Sequence, residues 1–252
     1  MAKDAKNTSW GKVASWYDQT VLKPDSYQQT VLLPNLQRLI APRPGQTILD
    51  LACGQGLFAG AFAAAGATVL GADIAPELIA LAKKQTPGAK FYVAPADKLS
   101  FLKEKSVDTV VCVLALQNIK NVPDTLRECA RVLRPGGRLA IVLNHPAFRI
   151  PQASSWQWDE TTKTQYRRTD KYLSEITMPI EMHPGSDKKK TTVSFHRPLQ
   201  YYFKLLHNHG FVVSRLEEWI SPKTTLAGPR ATAENKARKE FPLFLFIEAR
   251  QD

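Results

Sequence analysis

The 252-residue chain is poor in the features that mark several protein classes. It has three cysteines, Cys53, Cys112 and Cys129, with no C-x-x-C spacing and no even framework. That excludes a disulfide scaffold and a structural zinc ribbon, and fits a reducing compartment. No apolar run is long enough to span a bilayer: the longest, Leu57 to Leu70, covers 14 residues and is broken by Gly60 and Gly66. The opening MAKDAKNTSW lacks an apolar core, so no secretory signal is expected and a cytoplasmic location is. There is no internal repeat and no low-complexity tract. Charge is not lacking, but it is not concentrated either. The net charge is +11, with 17 Lys and Arg against 11 Asp and Glu over residues 1–145, and 17 against 12 over the remainder. A nucleic-acid binder more often gathers its charge into one patch, and the one run, Lys188 to Lys190, sits in a loop-like GSDKKK.

What is present is an alternation. Between Gln46 and Leu143, β-rich runs (TILDL, ATVLGAD, KFYVA, VDTVVCVLA, RLAIVLN) are separated by helical stretches (LFAGAFAAA, PELIALAKK, DTLRECARVL). Alternating β and α means a mostly parallel sheet with helices on both faces. Pro135-Gly136-Gly137 reads as the turn that launches the fifth strand. After Asn144 the text changes to a Trp-, Pro-, Thr- and Lys-rich stretch with short strands expected around TQYRRTDKYL and TTVSFH. A helix from about Pro198 to His209 follows, then strands FVVSRLEEW and PLFLFIEAR. With no sheet-crossing helix needed between these two, they are expected to be antiparallel, giving a reversed edge strand. The organisation expected is a helical lid (residues 1–45), a ligand-binding core (46–144), a cap insertion (145–195) and a completing helix and strands (196–252).

The stretch ILDLACGQG, Ile48 to Gly56, carries the chemistry. Its GQGLFA fits the loose dinucleotide fingerprint G-x-G-x-x-A, with an acidic Asp73 placed 19 residues after Gly54 to hold ribose hydroxyls. Asp50, however, stands just before the turn. A pyrophosphate site relies on a helix N-terminus and avoids carboxylates. A carboxylate there favours a cation, and S-adenosylmethionine carries a sulfonium and an ammonium but no phosphate. Ala52, Gly54 and Gly56 let backbone approach the ligand closely.

ILDLACGQG, GADIAPELIALAKK, VDTVVCVLALQNI and RVLRPGGRLAIV, in this order and spacing, resemble the class I S-adenosylmethionine-dependent methyltransferases. The closest subgroup is the one holding ubiquinone-type and small natural-product enzymes. The resemblance is close over residues 46–145 and extends to HRPLQYYFKLLHNHGFVVSRLEEW. It implies a Rossmann-like α/β fold, a seven-stranded sheet with an antiparallel edge strand, and S-adenosylmethionine as cofactor with S-adenosylhomocysteine as product. By resemblance, Asp50, Ala52, Cys53, Gly54 and Gly56 meet the methionine end, Asp73 the ribose, and Ile74 the adenine. Val113, Leu114 and Gln117 follow the fourth strand beside the donor, and Tyr17, in Trp16-Tyr17-Asp18, belongs to a covering lid motif. Members commonly place an aspartate before an alanine at the adenine edge; here Pro95 precedes Ala96, leaving the Ala96 amide or Asp97 for that contact.

Methyl transfer needs alignment and exclusion of water, and a base only where the acceptor must lose a proton. Histidine is the usual base. His145 follows the fifth strand, His196 opens the His-Arg-Pro entry to a helix, and His183 lies in the cap; each is a catalytic candidate, against a structural role in a turn, a cap or packing. His207 and His209 suit the end of a helix and read as structural. Arg149, Arg167 and Arg168 could meet an anionic acceptor, and Trp156, Trp158, Tyr166 and Tyr172 could wall an aromatic one; surface charge and cap packing are their alternatives. The expectation is a methyltransferase acting on a small molecule, at oxygen first, then nitrogen or carbon. No membrane, metal or nucleic-acid partner is expected, and the chain is expected to be a monomer or weak homodimer. The rivals are an RNA methyltransferase, a catalytically silent binding protein of the same fold, and a dinucleotide oxidoreductase.

Overall fold

The computed structural model describes residues 23–181 and 191–251. A seven-stranded sheet forms its centre. The strands are β1 (Thr47–Leu51), β2 (Thr68–Asp73), β3 (Lys90–Val93), β4 (Val107–Val113), β5 (Leu133–Asn144), β10 (Phe211–Trp219) and β11 (Phe244–Gln251). Their order across the sheet is β10-β11-β5-β4-β1-β2-β3. All neighbours from β5 to β3 are parallel. The reversed strand expected at the far end is β11, antiparallel to both β5 and the outermost β10.

Side chains alternate across the strands, so each strand feeds two cores. Leu139, Ile141 and Leu143 of β5, with Leu245 and Ile247 of β11, pack toward α4 (Val122–Val132) and α5 (Leu199–Asn208). Ala140 and Val142, with Phe244 and Phe246, pack toward α1 (Leu33–Ile40), α2 (Leu57–Ala64) and α3 (Pro76–Gln85). This double burial is why the strands read as continuous apolar runs. Gly71 on β2 is required by this packing: a Cβ there would lie 2.4 Å from the Phe91 ring.

The helix before β1 begins with a π-helical turn, Gln28–Leu32, in which the Leu33 N–H reaches the Gln28 carbonyl. Pro34 in the next turn has no N–H to offer. Pro135-Gly136-Gly137 is not a turn ahead of the fifth strand but an excursion within it. Val107 pairs with Leu133 and Thr109 with Arg138, so the extra residues bulge out, with Gly136 at φ +72°.

Residues 145–196 add two antiparallel hairpins: β6 (Ser154–Asp159) with β7 (Thr164–Thr169), and β8 (Ile176–Glu181) with β9 (Thr191–His196). The first packs on Phe241, which meets Phe148 and Trp156 edge to face. The charged segment between β10 and β11 forms α6 (Ala231–Glu240).

Candidate functional site

Strand order reverses between β1 and β4, because β2 and β3 extend one way from β1 while β4 and β5 extend the other. Ligands of open α/β sheets collect at the carboxyl ends of the strands at such a point. Two clefts lie there and share Ala52, Gly54 and Val113. The smaller, about 50 Å³, is walled by Asp50, Gln55 and Phe58 together with Gln28 from the N-terminal helix. The larger, about 130 Å³, is walled by Asp73, Ile74, Leu78, Leu114 and Asn118.

The turn between β1 and α2 is held in an unusual conformation. Ala52, Gly54 and Gly56 all have positive φ, at 56°, 55° and 85°. The Cys53 amide donates to the Ala72 carbonyl, tying the turn to β2. Gly54 has open space where a Cβ would stand, so its backbone is bare toward the cleft. Gly56 serves packing instead: a Cβ there would come within 3.1 Å of Ala82 and 3.2 Å of Phe91. Cys53 is buried, and burial raises its thiol well above the ordinary range, which leaves it inert.

Two carboxylates face this turn from inside the fold. Asp50 is 1% exposed and accepts a 3.1 Å hydrogen bond from the Ala59 amide. Burial, with a smaller contribution from the charge of Asp73, pushes its carboxyl up to about 7 against the single opposing amide. Asp73 accepts from the Gly54 amide at 3.0 Å and from the Ala75 amide at 2.9 Å. Its carboxyl is also raised by burial, against the amides of Ala75, Gly54 and Ile74. No Lys or Arg lines either cleft among the described residues. A buried anion with no counter-charge is half a site.

Further polar atoms lie in and beside these clefts; Gln117 was expected from the sequence, whereas the side chains of Gln55, Asn118 and Gln28 were not. Gln55 is 2% exposed, yet neither its Oε1 nor its Nε2 has a partner. Asn118 Oδ1 is buried and unpartnered in the wall of the larger cleft. Leu114 has φ +53° and its carbonyl accepts from Gln117 Nε2 at 2.9 Å, leaving Gln117 Oε1 buried and without a partner. Gln55 sits between the two glycines of the quoted motif, where its neighbours drew the attention. Gln28 lies far upstream in sequence and carries no local signal.

The remaining candidates divide. Ile74 is 37% exposed at the rim of the larger cleft, and Val113 and Leu114 line it. Ala96 and Asp97 are not among the residues lining either cleft; Asp97 accepts from Asn121 Nδ2, which ties it to the start of α4. His145 is 2% exposed with both ring nitrogens engaged. Its Nε2 lies 2.7 Å from Glu218 Oε1, and its Nδ1 accepts from the Ala147 amide. Burial lowers its basicity, opposed by Glu218. His196 is also buried; its Nε2 donates to the Tyr172 carbonyl at 2.8 Å, and burial lowers its basicity. It lines a third, small cavity together with Gln117, Asn144, Arg149 and Arg197. His209 Nδ1 bonds the Leu205 carbonyl at the end of α5, in line with a structural role. Tyr17 and His183 lie outside the described residues. No helix among the described residues is long and apolar enough to cross a membrane.

Known proteins agree with this geometry. Residues 49–141 match the family model of the methyltransferase domain. A demethylmenaquinone methyltransferase of Streptomyces griseus is 33% identical over 162 residues, which cover 62% of this chain and 67% of that protein. A biotin biosynthesis bifunctional protein of Cellvibrio japonicus is 34% identical over 150 residues, 59% of this chain but only 29% of that protein. The chain spans less than two thirds of the first curated relatives it matches. A solved S-adenosylmethionine-dependent methyltransferase from Mesorhizobium loti superposes with a TM-score of 0.69 at 27% identity, over 86% of this chain and 96% of that one. By this likeness in sequence to the Streptomyces griseus enzyme and in fold to the Mesorhizobium loti enzyme, the chain belongs to the class I S-adenosylmethionine-dependent methyltransferases.

Proposed function

We propose that this protein transfers the methyl group of S-adenosylmethionine to a small-molecule acceptor, at oxygen first, then nitrogen or carbon. One observation carries the proposal: two buried carboxylates, Asp50 and Asp73, face one bilobed cleft that no described cation lines. The residues present fit the donor. Asp50 and the Gln55 amide match an ammonium and carboxylate end. Asp73 keeps lone pairs for ribose hydroxyls, and Ile74 and Leu78 offer apolar surface to adenine. Asn118 Oδ1 awaits an N–H donor. When bound, the donor supplies an electrophilic methyl carbon and a neutral leaving group, S-adenosylhomocysteine.

The protein's own task is then alignment and exclusion of water. Residues 1–45 act as a lid over the donor and residues 145–195 as the acceptor-binding cap. Relatives named demethylmenaquinone methyltransferase and ubiquinone biosynthesis O-methyltransferase support a small acceptor. Where the acceptor must lose a proton, His196 is the better placed of the two described candidates. It lines the third cavity, and its Nδ1 has no partner among the described residues, whereas both nitrogens of His145 are taken.

The test is thermal stability with S-adenosylmethionine, S-adenosylhomocysteine and NAD. A ligand at a hundred times its dissociation constant adds about 2.7 kcal/mol, or roughly 5–10 °C for a chain of this size. A shift with the two sulfur ligands, lost in Asp73→Ala, is expected. A shift with NAD alone would overturn the proposal.

A further inference from the structure

Beyond the donor cleft the charge pattern inverts. The third cavity, about 30 Å³, lies between the segment following β5 and the end of β9. That is room for one small chemical group. Arg149 and Arg197 both line it. Arg197 is 5% exposed and gives donors to the backbone carbonyls of Leu116, Ile119 and Lys120 and to the Tyr202 hydroxyl, with no carboxylate partner among the described residues. Its guanidinium lies over the rings of Phe195 and Tyr201. Arg149 is half-buried and pairs with no carboxylate among the described residues; its guanidinium lies 5.8 Å from the Phe244 ring and interacts electrostatically with Tyr27. Burial pulls its guanidinium below the ordinary arginine range. A third arginine stands near. Arg167 donates to the Phe148 carbonyl and to Ser154 Oγ, stacks on Trp156 and is itself lowered by burial and by the charge of Arg149.

Most other arginines in the described residues pair with carboxylates: Arg38 with Glu217, Arg131 with Glu128, Arg134 with Asp108, Arg138 with Glu248, Arg230 with Glu160. Those around the third cavity do not. Desolvated guanidinium groups without a counter-ion are costly, and a planar fork of donors suits an oxyanion. Gln117 lines the same cavity and its buried Oε1 lacks a donor. An O–H or N–H close to the anionic group would satisfy it. The same residue bonds the Leu114 carbonyl in the wall of the donor cleft, so one turn, Leu116–Asn118, serves both spaces.

We infer that the methyl acceptor carries an oxyanion group, carboxylate or phosphate monoester, held by Arg149 beside Arg197, with its O–H or N–H directed to Gln117. This inference rests on the methyltransferase reading for the word acceptor, but the anion site can be tested apart from it. The probes are benzoate, phenyl phosphate and benzamide at constant ionic strength, added to the full chain with and without S-adenosylhomocysteine and followed by thermal shift. The ring is common to all three, so only the anionic group differs. At least one of the two anions is expected to bind tenfold or more tightly than benzamide, and which of them does so identifies the source. Arg149→Met should abolish that preference, while Arg168→Met, whose arginine is exposed and paired with Asp170, should keep it. Equal shifts from all three probes in the wild-type protein would overturn the inference without any variant. So would a preference that survives in Arg149→Met. The S-adenosylhomocysteine shift is read separately in the same plate; its absence would count against the methyltransferase reading and leave the anion result standing.

Discussion

The donor cleft and the cavity behind the Leu116–Asn118 turn are opposites. In the first, Asp50 and Asp73 are buried with no cation in the lining. In the second, Arg149 and Arg197 are buried or half-buried with no carboxylate among the described residues. Within one fold, surface charges such as Arg127 and Asp124 are matched in pairs, while the groups at the carboxyl edge of the sheet are left unmatched. A protein leaves a desolvated charge unmatched at a cost in stability, and ligand-binding regions are where that cost is retained. The acidic space suits the cationic end of a methyl donor; the basic space suits an anion.

Removing the acid is expected to break this contrast most severely. Asp50→Asn should weaken S-adenosylmethionine binding by a hundredfold or more in calorimetric titration. It should also stabilise the donor-free protein, because burial has raised the carboxyl from an ordinary 3.8 to about 7. A carboxyl raised on folding destabilises nothing below about pH 4, costs progressively more up to about pH 7 and is constant above that. At 1.36 kcal/mol for each unit, the gain in Asp50→Asn at pH 8 is on the order of 4 kcal/mol at most, measurable by urea unfolding.

The same ionisation predicts a pH dependence of binding. Only ionised Asp50 attracts an ammonium group, so donor affinity should fall by up to about tenfold for each unit of pH below about 7, and this slope should vanish in Asp50→Asn. Next in size is Gly71→Ala. Its Cβ would press on the Phe91 ring that also abuts Gly56, so stability should drop by about 1–3 kcal/mol, read as a lower urea midpoint. The smallest effect is expected on the basic side. Arg149→Met removes an unmatched, half-buried cation and keeps much of its packing, so stability should hold or rise by up to about 1 kcal/mol.

The shared edge of Asp50 and Asp73 was legible in the sequence, and the surroundings of Arg149 were not, for physical reasons. Asp50 and Asp73 end successive strands whose apolar runs are plain, so counting along the alternation places both at one edge. The antiparallel pairing of β10 and β11 followed from the lack of a sheet-crossing helix between them. By contrast, β6 is partly exposed on both faces and shows no alternation, and β8 contains Pro179, which reads as a breaker but is tolerated in a two-stranded hairpin. Both strands were missed. The glycine bulge inside β5 was read as a turn because register is set by the partner β4, not by local chemistry. Arg149 read most readily as surface charge, since nothing in NHPAFRIP announces that Phe244, nearly a hundred residues later, will cover it. Gln28, from upstream of the motif, was invisible for the same reason.

Asp50 is proposed to stay buried for the cationic end of the methyl donor. The most direct test is calorimetric titration at pH 8 of S-adenosylhomocysteine against 5′-methylthioadenosine, which keeps the nucleoside and lacks the amino-acid end. The wild-type protein is expected to prefer S-adenosylhomocysteine by a hundredfold or more, and Asp50→Asn to bind the two with similar affinity. Equal affinities in the wild-type protein, or an undiminished preference in Asp50→Asn, would contradict it.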